Sequence, residues 1–289
     1  MFQRVTIIGL GLIGGSIGLA LRKAEAAREV VGYDMGKGVC DRARQIGAIS
    51  QASTDLADAV RNAELVILAT PVRTISHLFQ QLAPLLTPGT VVTDVASTKA
   101  QIIGWAEEFL PHHVAFVGGH PMAGKEISGV EAADATLFYK RIYCVTPTAH
   151  TQPVAIQKVS TLAEIIGARI RLLDAHDHDR QVAAISHLPF LASVALVNTV
   201  GSEPDWSDTA ILASTGFRDA SRLAEGNSVM YRDICLTNTD AITHRLDEYI
   251  AELNSLRDQL VEHDPTIIEK FLQSQQTRRQ WQEMHKELS

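Results

Sequence analysis

The chain has 289 residues, which is long enough to bury a sizeable hydrophobic core. Its composition, 46% hydrophobic and 20% charged residues, excludes a mainly disordered, collagen-like or coiled-coil protein. Its net charge of −7 argues against nucleic acid or an anionic membrane as a partner. Three scattered cysteines, Cys40, Cys144 and Cys235, favour a reducing compartment. We therefore expect a cytoplasmic protein with no signal peptide and no membrane-spanning segment.

The first part of the chain alternates short β-branched runs with helical patterns. Strands are predicted at residues 4–8, 29–33, 65–69, 90–93, 114–117, 142–146 and 168–172. Helices are predicted at residues 12–24, 38–46, 72–86 and 98–110 and within 154–166. Such an alternation predicts parallel pairing in an α/β, doubly wound sheet of the Rossmann type.

The pattern changes after residue 172, because no β-rich run follows. Helical periodicity occupies residues 179–200, 209–213, 228–254 and 265–285. We therefore predict two domains, a dinucleotide-binding domain over residues 1–172 and an all-α domain over residues 173–289.

A glycine motif lies directly between the first predicted strand and the first predicted helix. Residues 9–14 read GLGLIG, which matches G-x-G-x-x-G. Gly9 permits a tight turn, Gly11 lets a pyrophosphate approach the backbone, and Gly14 lets the helix pack on the strand. The motif predicts a dinucleotide site at the helix N-terminus, with Leu12 and Ile13 beside the phosphates.

An acidic residue follows at the distance expected for a ribose contact. Asp34 ends the second predicted strand, 20 residues beyond Gly14. Its carboxylate can accept the ribose hydroxyls of NAD and would repel the 2′-phosphate of NADP, although Lys37 could favour that phosphate. NAD is the predicted cofactor, with Thr70 and Pro71 after the third strand also expected at the site.

Two polar segments follow later strands of the sheet. Ser97 or Thr98, in the segment DVASTK, is expected to be the N-cap of the next helix. These residues also follow a strand, where ligands bind in an open α/β sheet, so a cap and a site role can coexist. His120 lies in GGHPMAGKE, where a neutral imidazole among glycines can take a proton. The alternative for His120 is a turn histidine that caps a backbone group.

The helical half carries three further candidates. His187 lies in an apolar, Pro-interrupted helix and is either a core histidine or a ligand-binding one. Arg218 could clamp a carboxylate in a bidentate fork, or pair internally with Asp219. His176 and His178 resemble metal ligands by composition, but residues two apart do not share a helix face, so no metal site is expected.

Taken together, these segments resemble the prephenate/arogenate dehydrogenase family of tyrosine biosynthesis. The matching segments are GLGLIGGS at 9–16, DVASTK at 94–99, GGHPMAGKE at 118–126, SHLPF at 186–190 and GFRDASR at 216–222. The resemblance implies a Rossmann-type domain followed by a helical domain that forms a homodimer. It also implies an oxidative decarboxylation, in which a hydride leaves C4 of a cyclohexadienyl ring and C1 loses CO2.

The resemblance assigns roles to individual residues. His120 is similar to the group that polarises the C4 hydroxyl, with Ser97 as a second partner. His187 is similar to a histidine near substrate and cofactor, and Arg218 to an arginine that holds a substrate carboxylate. Apart from the resemblance, the ammonium group of arogenate calls for a nearby anion or carbonyl, and the candidates are Glu126, which is also a candidate substrate-binding residue in general, Asp219 and Asn227.

The expected reaction is the NAD-dependent conversion of prephenate to 4-hydroxyphenylpyruvate, with arogenate as the alternative substrate. Prephenate is favoured because the NAD preference predicted for this chain is also that of many bacterial prephenate dehydrogenases. Neither a regulatory ACT domain nor a fused chorismate mutase is expected. Two other interpretations stay open, a dehydrogenase of the β-hydroxyacid group and a non-catalytic NAD-binding sensor.

Overall fold

The computed structural model describes residues 1–125 and 127–288, without the side chains of residues 287 and 288. Their contacts divide the chain into two compact units, Met1–Thr239 and Asp240–Ser289. The strands are β1 (Phe2–Ile8), β2 (Ala27–Tyr33), β3 (Gln51–Ala52), β4 (Leu65–Leu68), β5 (Val91–Asp94), β6 (Ala115–Pro121), β7 (Ile142–Thr146) and β8 (Arg169–Leu172). All of them lie in the first unit.

The helices flank the sheet and then follow it in the chain. They are α1 (Leu12–Lys23), α2 (Val39–Gln45), α3 (Leu56–Val60), α4 (Val72–Leu82), α5 (Ala100–Phe109), α6 (Pro153–Ile165), α7 (Ala175–Val182), α8 (Leu188–Gly201), α9 (Trp206–Ile211), α10 (Thr215–Ser221), α11 (Ser228–Thr237), α12 (Thr239–Val261) and α13 (Ile267–Leu288). Short 3₁₀ turns occupy Val130–Ala132 and Arg222–Glu225, and one π-helical turn, Ala183–His187, connects α7 to α8.

The strands form one sheet in the order β3-β2-β1-β4-β5-β6-β7-β8. The fold class predicted from the sequence, a Rossmann-type sheet followed by helices, is confirmed. The prediction of parallel pairing throughout is wrong for one pair, because β7 runs antiparallel to β6 before it pairs in parallel with β8. The connection between β6 and β7 contains a 3₁₀ turn where a parallel pair would need a crossover helix.

Helices on both faces bury the centre of the sheet. All four residues of β4 are buried, as a continuous apolar run predicts. Leu65 and Ile67 join the core on one face, whereas Val66 and Leu68 join the core on the other. This alternation is the two-residue period of a strand.

The strand order reverses beside β1, which pairs with β2 on one side and with β4 on the other. In an open α/β sheet such a reversal leaves a crevice at the carboxyl ends of the strands, where ligands bind. The loop after β1 begins at Gly9, and the loop after β4 contains Thr70. The parallel strands β5 and β6 end at the same edge of the sheet, and β6 carries His120.

The helices after β8 depart from the prediction in two predicted segments, and α10 lies outside all of the predicted segments. The periodic segment 179–200 is interrupted by the π-helical turn, and the segment 228–254 breaks at Asn238, between α11 and α12. By length and composition alone, the continuous helical segment Ala175–Gly201 is apolar enough to cross a membrane. However, its buried residues include His178, Asp179 and His187, and the hydrogen bonds of these three side chains within the first unit favour a packed helix.

The second unit consists of the greater part of α12 and all of α13. Lys270 of α13 forms an ion pair with Glu252 of α12 at 2.8 Å. Several large apolar side chains of this unit are exposed, among them Leu260, Val261 and Leu272.

Candidate active site

The glycine loop has the geometry of a phosphate-binding turn. Gly9 adopts a positive φ of 91°, and a Cβ atom at Gly14 would overlap the carbonyl oxygen of Gly9. Among the described residues, no atom lies within 4 Å of a Cβ built on Gly11, which occupies the N-cap of α1. The N-terminus of α1, whose first N–H groups have no partner within the helix, therefore borders open space at Gly11, and Leu12 and Ile13 lie in its first turn. This cradle fits the diphosphate of a dinucleotide.

Asp34 lies directly beside this loop, one residue after β2. Its Oδ2 accepts a hydrogen bond from the backbone N–H of Leu10 at 2.8 Å, and its Oδ1 accepts one from that of Gly36 at 2.7 Å. The Cγ2 atom of Thr70 would touch a Cβ placed on Gly9, so the loop after β4 borders the same cradle. Pro71 is the N-cap of α4, directly after Thr70.

A buried ion pair lies at the end of β5, and its carboxylate also contacts β6. Lys99 and Asp94 are fully buried, and Lys99 Nζ donates to Asp94 Oδ2. Asp94 Oδ1 also accepts from the backbone N–H of Gly119 at 3.1 Å. A Cβ at Gly119 would lie 2.6 Å from the carbonyl oxygen of Asp94, so this glycine permits close packing of the two strands. Burial lowers the pKa of Lys99, and Asp94 opposes that shift.

His120 follows Gly119 in β6 and begins a chain of three hydrogen-bonded side chains. Its Nδ1 lies 2.9 Å from Nε2 of His178, whose Nδ1 lies 2.8 Å from Oδ1 of Asp179. Burial, followed by the neighbouring His178, Lys99 and His187, holds the pKa of His120 well below its ordinary value of 6.5. His120 is therefore a neutral imidazole at neutral pH and is able to accept a proton.

Asp179 also caps α5. Its Oδ1 accepts from the backbone N–H of Lys99 at 2.8 Å, and its Oδ2 accepts from that of Ala100 at 2.9 Å. The prediction that Ser97 or Thr98 caps this helix is therefore wrong, because the cap comes from α7. Thr98 instead shares a hydrogen bond with Thr237 at 2.9 Å, and Ser97 is half-buried in the loop after β5.

His187 is buried near this chain, at the end of the π-helical turn. Its Nδ1 lies 3.3 Å from Nδ2 of Asn238, which also donates to the carbonyl oxygen of Asp179 at 2.9 Å. Burial lowers the pKa of His187 to about 4, although Asp179 opposes the shift. The amide nitrogen of Asn238 can only donate, so His187 Nδ1 accepts and its Nε2 carries the proton.

The structure does not bring all predicted residues together. Arg218 lies on α10 with 71% of its side chain exposed, and its Nε is 3.1 Å from Oδ1 of the adjacent Asp219. This Arg–Asp pair is exposed, so it does not match the alternative of an internal pair that anchors helices. Glu126, predicted to bind substrate, lies outside the described residues. In the described part of the chain, no group of three or more His, Cys, Asp or Glu side chains is arranged to hold a metal ion.

The sequence analysis did not assign His178 and Asp179 to the site. A signal for them was present, because Ala175, His178, Asp179 and Val182 follow the spacing i, i+3, i+4, i+7 of a buried helix face. Two polar residues on such a face predict a buried hydrogen-bonded pair.

Comparisons with known protein families cover most of the chain. Residues 17–172 match the family "prephenate dehydrogenase, nucleotide-binding domain", and residues 174–274 match the family "prephenate dehydrogenase, dimerization domain". A cyclohexadienyl dehydrogenase from Zymomonas mobilis is 36% identical over 281 residues, which is 96% of each chain. A prephenate dehydrogenase from Bacillus subtilis is 34% identical over 95% of this chain and 74% of its own.

Solved structures agree with these matches. A prephenate dehydrogenase from A. aeolicus, in complex with hydroxyphenyl propionate and NAD+, has a TM-score of 0.89 and 29% identity over 97% of this chain and 98% of its own. The Synechocystis arogenate dehydrogenase has a TM-score of 0.84 and 32% identity over 96% of this chain and 99% of its own. The protein is therefore a member of the prephenate/arogenate dehydrogenase family of oxidoreductases.

Proposed function

We propose that the protein is an NAD-dependent prephenate dehydrogenase that converts prephenate to 4-hydroxyphenylpyruvate and CO2. The proposal is supported by the Bacillus subtilis relative, and by the A. aeolicus structure that holds NAD+ together with a hydroxyphenyl acid. The observation that carries it is the position of His120. This neutral imidazole lies near the carboxyl end of β6, at the edge of the sheet that also carries the glycine cradle.

The cofactor site would consist of the cradle and Asp34. The free N–H groups of the first turn of α1 hold the diphosphate, and the Asp34 carboxylate accepts the hydroxyls of the adenosine ribose. Asp34 would exchange its bond with the N–H of Leu10 or Gly36 for a ribose hydroxyl. NAD, when bound, supplies the acceptor for the hydride that leaves C4 of the substrate.

His120 would hold the proton of the substrate hydroxyl while the ring is oxidised. Loss of the C4 hydride makes that hydroxyl strongly acidic, so the neutral imidazole takes its proton. The bond from C1 to the departing carboxylate then supplies the electron pair that makes the ring aromatic. The ring oxygen takes the proton back from His120, so the reaction needs no external acid or base.

Other predicted residues would orient the substrate. Ser97 lies in the loop after β5, at the same edge of the sheet as His120. His187 presents a donor at Nε2, so it complements an oxygen atom of substrate or cofactor. Arg218 would bind a substrate carboxylate once its hydrogen bond to Asp219 is replaced by one to the substrate. Glu126 is a further proposed substrate contact.

Arogenate is the second candidate substrate. The likeness to the Synechocystis arogenate dehydrogenase, 32% identical, favours it specifically. The two substrates differ in their side chain, a keto acid in prephenate and an amino acid in arogenate. The ring chemistry, and with it the role of His120, is the same for both.

The proposed function is tested with the purified protein, each substrate and each cofactor. Reduced cofactor is followed by absorbance, and CO2 release is measured in parallel. We expect prephenate with NAD to give the highest kcat/KM and one CO2 for each reduced cofactor. A higher kcat/KM with arogenate would transfer the proposal to that substrate, and no turnover of either despite NAD binding would favour a sensor.

We also propose a cytoplasmic homodimer. Residues 174–274 match a dimerization domain, and this part of the chain exposes large apolar side chains, including Ile211 at 80% and Leu212 at 83%. Burial of such side chains by a second copy is the expected use of an exposed apolar surface. The free cysteines fit a reducing compartment. A monomer in light scattering at micromolar concentration would contradict the dimer.

A further inference from the structure

The two side chains behind His120, those of His178 and Asp179, determine which nitrogen of His120 carries a proton. The Asp179 carboxylate can only accept hydrogen bonds, so His178 Nδ1 must donate to it. In a neutral His178, Nε2 is then an acceptor, and His120 Nδ1 must donate to it across 2.9 Å. A neutral His120 is therefore protonated at Nδ1 and has its lone pair at Nε2.

We propose that His178 and Asp179 are positioning residues that fix His120 as the Nδ1-protonated tautomer and share the proton that it removes from the substrate. The tautomer follows from the hydrogen-bond geometry for a neutral His178, whereas the sharing of the proton rests on the proposed function. Without these partners, His120 would be free to place its proton on Nε2, where it could not accept one from a hydroxyl.

The proton can move along the chain without leaving the site. The hydroxyl proton binds to His120 Nε2, and the proton on His120 Nδ1 passes to His178 Nε2. His178 then carries both protons, and its positive charge lies against the Asp179 carboxylate. The reverse movement returns one proton to the ring oxygen of the product, so protons and charge balance over the cycle.

The surroundings favour Asp179 as the counter-charge. Among the described residues, the titratable groups near His120 include His178 and Asp179 of α7, His187 of the π-helical turn, Asp94 of β5 with its partner Lys99, and Tyr143 and Cys144 in the facing strand. Lys99 and Asp94 form an ion pair with each other, and a low pKa keeps His187 uncharged at neutral pH. Asp179 is also fixed by two backbone N–H groups, so it needs no rearrangement when His178 becomes charged.

The tautomer is tested without substrate. Imidazole ¹⁵N spectra of the whole protein distinguish protonated from unprotonated ring nitrogens, and the His120 signals are those missing from His120→Asn. We expect a protonated Nδ1 and an unprotonated Nε2 in the parent protein. A protonated Nε2 on neutral His120 would overturn the proposal, whatever the reaction proves to be.

Three variants separate positioning from general damage. His178→Leu removes the acceptor for His120 Nδ1, and we expect His120 to shift toward the Nε2-protonated form. We expect kcat to fall on the order of 10- to 100-fold. This loss is smaller than the roughly 10²–10⁴-fold expected when the base, His120, is itself removed. His178→Gln places a carbonyl oxygen near the former Nε2, so it should restore the tautomer and part of kcat. The matched control is His176→Gln, because His176 is exposed two residues away in the same helix.

The outcomes distinguish this proposal from the proposed function. NAD affinity and the melting temperature show whether each variant is folded. A parent-like kcat in a folded His178→Leu protein would overturn the positioning role. If the parent turns over neither substrate but shows the expected tautomer, the proposed function fails and the assignment of the tautomer stands.

Discussion

Acid should destabilise this protein through His187, whose imidazole is held neutral in the folded state. Burial lowers its pKa from 6.5 to about 4, with Asp179 opposing the shift and His178 adding to it. In the unfolded chain the same imidazole binds a proton near pH 6.5. Between these values the unfolded state binds more protons, so the free energy of unfolding decreases as the pH falls.

The size of the effect follows from the two pKa values. Each unit of pKa shift corresponds to about 1.4 kcal/mol, so a fall from 6.5 to about 4 corresponds to about 3 kcal/mol. This loss begins as the pH falls through 6.5 and is complete near pH 4. Because a domain is stable by only about 5–15 kcal/mol, one histidine should be visible in an unfolding experiment.

The assay is urea unfolding at fixed protein concentration across this pH range, for the parent and for His187→Asn. The side-chain carbonyl oxygen of the new asparagine can accept the hydrogen bond from Asn238 Nδ2, as His187 Nδ1 does, but the amide does not bind a proton in this pH range. We expect the variant to be less stable at neutral pH, yet to lose about 3 kcal/mol less than the parent between pH 6.5 and about 4. His176→Gln, an exposed change on α7, should leave the profile of the parent unchanged. Equal pH dependence in the parent and His187→Asn would refute the reasoning.

Three further predictions concern the reaction. As the pH is lowered, kcat/KM should begin to fall only below pH 6.5, because the lowered pKa of His120 keeps its imidazole neutral down to that range. A fall in kcat/KM that begins above pH 6.5 would contradict this role of His120. Asp34→Ser should shift the preference from NAD toward NADP, measured as the ratio of kcat/KM values, and an unchanged ratio would reject the ribose contact. Arg218→Gln should mainly raise KM, because a strong bond from Arg218 to the departing carboxylate stabilises the bound substrate and not the transition state. A large fall in kcat with an unchanged KM would contradict this role of Arg218 in substrate binding.

Local sequence signals predicted most of the sheet. The strands have apolar runs and the helices a 3.6-residue period, and both depend on neighbouring residues only. The antiparallel pair β6–β7 was missed because strand direction depends on the connection. The described residues between these strands form a 3₁₀ turn and no α-helix, and a connection without an α-helix is typical of an antiparallel pair.

The candidate site was predicted in part for a related reason. Gly9 and Asp34 directly follow strands and His120 lies near the carboxyl end of β6, so the topology of the sheet brings them to one edge. His178 and Asp179 reach that edge from a helix 58 residues beyond His120 in the chain. No local pattern specifies which residue a helix contacts at such a separation. The i, i+3, i+4 spacing shows that both side chains are buried, but not what they are buried against.

The same contacts bear on the domain boundary, which was predicted at residue 172. Asp179 caps α5, Asn238 donates to Asp179, and Thr237 bonds to Thr98, so the hydrogen bonds of the site cross that position. The first compact unit accordingly extends to Thr239. A cut at residue 172 would remove the cap of α5 and the partner of His120 together. The predicted boundary therefore describes the change from sheet to helices, whereas the site belongs to one unit that includes both.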